Sequence, residues 1–101
     1  MTASIALVEL DWLPQEQGGR KHLPTGPTYA ATAYFAAEGI AGLFSVVIDF
    51  LDLITPSSRK GYRAELRVLA PATVGKHFAP GNTLIITAGP QPVARCYVVS
   101  V

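Results

Sequence analysis

Cysteine, histidine and charge are all scarce in this chain of 101 residues, and each scarcity removes a class of function. The single cysteine, Cys96, has no internal disulfide partner and no neighbouring Cys or His at metal-ligand spacing. It sits in the apolar stretch Ala94-Arg95-Cys96-Tyr97-Val98, where a small buried hydrophobe is expected rather than a reactive thiol. The two histidines, His22 and His77, fall in separate loop-like segments, and Ser45, Ser57, Ser58 and Ser100 occupy no nucleophile-elbow context. No Gly-x-x-x-x-Gly-Lys-Ser/Thr run is present, which excludes P-loop nucleotide hydrolysis. The expectation is a non-catalytic protein without cofactor or metal.

Charged residues make up 15% of the chain, and eight basic against seven acidic side chains leave a net charge of +1. Such a balance gives no global attraction to nucleic acid or to an anionic membrane. No DNA or membrane partner is expected, and a protein partner is favoured over RNA. The N-terminal apolar stretch is interrupted by Glu9 and Asp11 and lacks a basic leader, so neither a signal peptide nor a membrane-spanning helix is read there, and a cytoplasmic location follows. Half of the residues are hydrophobic, enough for one core-rich domain over 1–101 and for a homodimer interface as well.

The residues that are present alternate with period two. Ser4 to Trp12 places Ala6, Val8, Leu10 and Trp12 on one face and Ile5, Leu7, Glu9 and Asp11 on the other. Tyr62 to Leu69 sends Tyr62, Ala64, Leu66 and Val68 one way and Arg63, Glu65 and Arg67 the other. Thr28 to Ala37 is rich enough in alanine to favour helix by propensity. The preceding Pro24 and Pro27, the shared face of Tyr29 and Phe35, and the early Gly39 and Gly42 predict a strand instead. Phe44 to Leu53, Thr83 to Ala88 and Val93 to Val101 complete six predicted strands, the last two joined across Gly89-Pro90-Gln91-Pro92. Six short strands with Gly/Pro turns predict an all-β fold, a closed barrel or a small sandwich, and the six-stranded antiparallel closed barrel is the expectation adopted, since closure leaves no exposed edge on so apolar a chain.

Between the first two strands lies Glu16-Gln17-Gly18-Gly19-Arg20-Lys21-His22-Leu23-Pro24-Thr25-Gly26-Pro27, a turn segment that holds Arg20, Lys21 and His22 outward. Gly18, Gly19, Arg20, Lys21 and His22 form one candidate partner-binding group. The competing arrangement has Arg20 locking the loop through backbone carbonyls or Glu16. A second group, Arg59 and Lys60 with Arg63 and Arg67 on the following strand, would form a cationic strip suited to phosphates, because strand residues two or four apart share a face. The alternative there is a solvated face with Glu65 between the arginines and cross-strand partners in Asp49 or Asp52. Three residues apart on one strand, Asp49 and Asp52 are expected on opposite faces, which argues against a general acid/base pair.

The strand running into Gly18-Gly19-Arg20, followed by Pro24 and Gly26, the aromatic strand from Tyr29 to Phe35, the turn at Gly42 and the strand Leu66-Arg67-Val68-Leu69 ending at Pro71 together resemble the C-terminal barrel, or third domain, of elongation factor Tu and related translational GTPases. The resemblance extends over nearly the whole chain, as a stand-alone domain. It implies a six-stranded barrel that contacts the T stem of aminoacyl-tRNA, a GTPase domain or an exchange factor, with Gly18, Gly19 and Arg20 matching the family's motif. Where that family has a short Pro-Gly-Asp turn this chain has the longer Thr55 to Gly61, and Gly89-Pro90-Gln91-Pro92-Val93-Ala94 replaces the family's Gly-Gly-Arg-Thr-Val-Gly. Both differences fall on loops, where binding surfaces lie. A translation-factor-like binding module is the function expected. Two other roles stay open: an immunity or interaction protein that mimics the elongation factor barrel, and a small-molecule-binding enzyme using the barrel mouth.

Overall fold

A computed structural model gives the structure of the chain and describes residues 5–14, 27–37, 39, 42–52, 61–69, 79–89 and 91–101. Six strands follow one another as β1 (Ile5–Trp12), β2 (Thr28–Phe35), β3 (Phe44–Phe50), β4 (Tyr62–Val68), β5 (Thr83–Ala88) and β6 (Gln91–Ser100). They close into a barrel in the order β1-β4-β3-β2-β5-β6, every neighbouring pair antiparallel. All strands are therefore paired on both sides, as anticipated from the need to hide edges. Among the described residues no helix is long and apolar enough to cross a membrane.

Strand alternation decides the interior. β4 shows it most cleanly, with Tyr62, Ala64, Leu66 and Val68 buried and Arg63, Glu65 and Arg67 exposed. β1 buries Ala6, Val8, Leu10 and Trp12 in the same way. A barrel this narrow has no room for large side chains on every strand at one level, so large residues stand opposite small ones. Trp12 pairs with Ala94, Leu66 with Ala6, Ile86 with Ala33, and Val8 and Phe50 both with Ala64. The alanines of β2 thus serve packing, and β3 and β5 on either side hold the segment extended against its helix propensity.

Some boundaries differ from the periodicity. β3 stops at Phe50 rather than Leu53, because the carboxylate of Asp52 takes the N–H of Arg63 at 2.8 Å where a strand would offer a carbonyl. Asp52 leaves the period-two pattern for this reason. Asp49 and Asp52 both reach the outer face of β4 instead of pointing to opposite sides. β6 begins at Gln91, not Val93, and Gln91 pairs with Ala88, the chain leaving β5 through Gly89 at φ 59°. Pro92 cannot donate to the ladder, and the register shifts there: Ile86 pairs with Ala94 and Thr87 with Pro92, leaving Val93 as a bulge. The carbonyl of Val93 accepts the N–H of Leu13 at 2.9 Å.

β2, β3 and β4 form a meander with β1 beside β4 and β5 beside β2. Consecutive strands β1 and β2 are consequently not neighbours, and neither are β4 and β5. The connection between β1 and β2 and that between β3 and β4 are both anchored at the same end of the barrel. There Trp12 and Phe50 end their strands, while Thr28 and Tyr62 begin theirs.

Candidate binding surface

That end is closed by aromatic rings. Trp12 meets Tyr29 edge-on at 5.7 Å and Phe50 at 5.9 Å, and Phe50 meets Tyr62 edge-on at 6.3 Å. Tyr62 is buried, and half-buried Tyr29 packs against the core, so neither offers a free face for stacking on bases. The indole Nε1 of Trp12 is buried with no hydrogen-bond partner, the only such side-chain atom among the described residues. Beside this lid the carboxylate of Asp11 accepts the N–H of Gly61 at 2.8 Å and ties the start of β4 to the end of β1.

The anchors at this end carry the two segments singled out from the sequence. Gly18, Gly19, Arg20, Lys21 and His22 belong to the connection between Pro14 and Pro27, and Arg59 and Lys60 to the one between Asp52 and Gly61. All seven lie outside the described residues, as do His77, Ser57 and Ser58. The two connections, from 15 to 26 and from 53 to 60, contain four of the chain's eight basic side chains and one of its seven acidic ones, Glu16.

Arg63 and Arg67 are described, and each is held by a carboxylate. Arg63 Nη2 lies 3.0 Å from Asp52 Oδ1 while its backbone N–H donates to the other carboxylate oxygen. This two-point grip holds the Asp52 carboxyl below the usual carboxylate range, first through the side-chain hydrogen bond and then through the backbone one, and it raises the Arg63 guanidinium. Arg67 Nη2 lies 3.5 Å from Asp49 Oδ2, and Asp49 Oδ1 accepts the hydroxyl of Thr28 at 2.9 Å. Glu65 stands between the arginines on the same outward row and opposite Asp49. The described part of the strip therefore pairs two arginines with three carboxylates, the solvated arrangement, and its surplus charge is negative. The partner aspartates were legible in the sequence. The bend that brings Asp52 round was not, because it depends on the pairing of β3 with β4.

Other candidates resolve more simply. Cys96 is fully buried, and its thiol is pushed far up by desolvation and then by the charge of Asp11, so it is a packing residue. No group of three or more His, Cys, Asp or Glu side chains converges on a metal-sized site among the described residues. An open groove of about 210 Å³ lies at the opposite end, and the described residues that line it, Phe35, Ala36, Ala37, Gly81, Asn82 and Thr83, include no ionisable side chain. A feature that periodicity did not reveal is Thr87, buried although it points outward from β5, where its hydroxyl bonds that of Thr32 across the strand pair. The chain matches no protein-family model and no curated protein sequence.

Proposed function

We propose that this barrel is a non-catalytic, translation-factor-like binding module that takes a protein partner at the end bearing residues 15–26 and 53–60. The observation that carries the reading is the convergence of the two connections. Strand order places the anchors of the Gly18-to-His22 segment and of the Arg59-Lys60 segment at one end of the barrel, beside the aromatic lid, and the two segments contain half of the chain's basic side chains. Loops held by a rigid scaffold are where binding residues concentrate. A protein with acidic side chains is favoured over RNA because Arg63 and Arg67 already hold Asp52 and Asp49, so no continuous phosphate track runs down β4.

The test compares three forms of the protein as bait in a nuclease-treated cell extract: wild type, the fourfold variant Arg20→Ala/Lys21→Ala/Arg59→Ala/Lys60→Ala, and Arg67→Ala. A partner retained by wild type and Arg67→Ala and lost by the fourfold variant is the expected result. Identical recovery by all three sinks the proposal. A parallel titration with a total tRNA pool at two salt concentrations, read by the emission of Trp12, the chain's single tryptophan, separates the RNA alternative. Saturable binding that weakens steeply with salt would replace the protein reading with an RNA one.

A further inference from the structure

We propose that the outer wall made by β1 and β6 is a homodimer surface, with the two-fold axis running along the seam between the two strands. The wall carries an apolar patch at the end away from the aromatic lid: Ile5 is 49% exposed, Val99 53% and Tyr97 37%, with half-buried Leu7 beside them. Leu7 pairs with Ser100 and Val8 with Val98, so Val99 is a bulge residue with no cross-strand partner that stands out from the wall beside Leu7. Three exposed apolar side chains and one half-buried one amount to roughly 300 Å², the lower end of the range in which the largest patch of a monomer is often an interaction site.

A second copy fits this wall better than an unrelated partner because the wall is complementary to itself. An axis along the seam swaps the two strands, so that β1 of one copy lies on β6 of the other. Leu7 then meets Val99 of the second copy, Glu9 meets the hydroxyl-bearing Tyr97, and Asp11 meets Arg95. Asp11 and Arg95 are direct cross-strand neighbours within one protomer, yet neither makes an ion pair among the described residues. Arg95 can therefore turn to a second copy, and Asp11, whose Oδ1 accepts the Gly61 N–H, keeps its other carboxylate oxygen for it. The same operation sets Arg63, already held by Asp52, opposite Thr83 on β5, which pairs with Tyr97, and no like charges are brought together. An isologous interface requires this kind of self-match. On a convex barrel only two or three adjacent strands touch a partner, and here those strands carry the match. The interface belongs to the small, reversible class.

The decisive experiment is sedimentation equilibrium of the full chain over roughly three decades of concentration. A monomer–dimer equilibrium is expected for wild type, and a monomer throughout overturns the proposal. Val99→Asp, at an exposed position that folding does not need, is expected to raise the dissociation constant at least about 50-fold while leaving the far-UV circular dichroism unchanged. Arg95→Asp is expected to weaken the dimer about tenfold, and Asp11→Asn, which keeps an acceptor for the Gly61 N–H, to weaken it less than Arg95→Asp does. A dimer that survives Val99→Asp, or that Arg95→Asp leaves unchanged, places the interface elsewhere. The fourfold loop variant tested above changes no residue of the β1–β6 wall, and Val99 lies away from the lid, so the two outcomes are distinguishable.

Discussion

Trp12→Phe is the most informative single change, because two opposing effects of known size meet at one residue. The indole lies in the closed end of the barrel against Tyr29 and Phe50, 2% exposed, and its N–H is unpaired. Phenylalanine keeps one ring for the two aromatic contacts but removes roughly 40 Å³, and at ~24 cal/mol per Å³ the cavity costs about 1 kcal/mol. Loss of roughly 40 Å² of buried apolar area adds about 1 kcal/mol. Against these, deleting a buried donor without a partner recovers about 1–3 kcal/mol of desolvation penalty. The net change is expected to lie within about 1 kcal/mol of zero, whereas Trp12→Ala, which empties the site, is expected to cost about 3–5 kcal/mol. Urea unfolding followed by far-UV circular dichroism measures both, since the fluorescent probe is lost in each variant. A cost above about 3 kcal/mol for Trp12→Phe would show that the indole N–H has an acceptor, and the account of the lid would fall.

Two further predictions follow from the barrel wall and its lining. Leu66 is fully buried on β4 opposite Ala6 and Ile48, neither of which can collapse into its space. Leu66→Ala is therefore expected to cost about 2–5 kcal/mol and to lower the melting temperature by about 10 °C or more in a calorimetric scan; a drop of a few degrees would contradict the packing. The Asp52 carboxyl titrates lower in the folded chain than in the unfolded one, so its grip on Arg63 contributes stability above the unfolded carboxylate range and loses it as pH falls through the lowered folded value. Asp52→Asn is expected to flatten the stability profile below about pH 4, and an unchanged acid limb in the variant would rule out this contribution.

Period-two alternation in 62–68 and 5–12 determined without any structure that these segments are strands and which face enters the core, since a one-residue slip would turn every apolar side chain outward. The setting of Cys96 determined its burial in the same way. The Gly and Pro positions determined that the chain turns between strands, and the lack of polar edge chemistry on so apolar a chain pointed to closure.

Strand order was beyond the sequence, because pairing β1 with β4 and β6, or β2 with β5, depends on backbone hydrogen bonds that any extended segment offers. From that order follow the details that matter for function. It brings Arg67 to Asp49 and Arg63 to Asp52, turning a strip of arginines into a neutralised wall. It also sets β1 beside β6 and anchors two separate basic segments at one end. The local pattern of side chains thus decided which residues are inside. Only the closure of the barrel, a non-local event in which all six strands must be paired at once, decided which of the outside residues stand together.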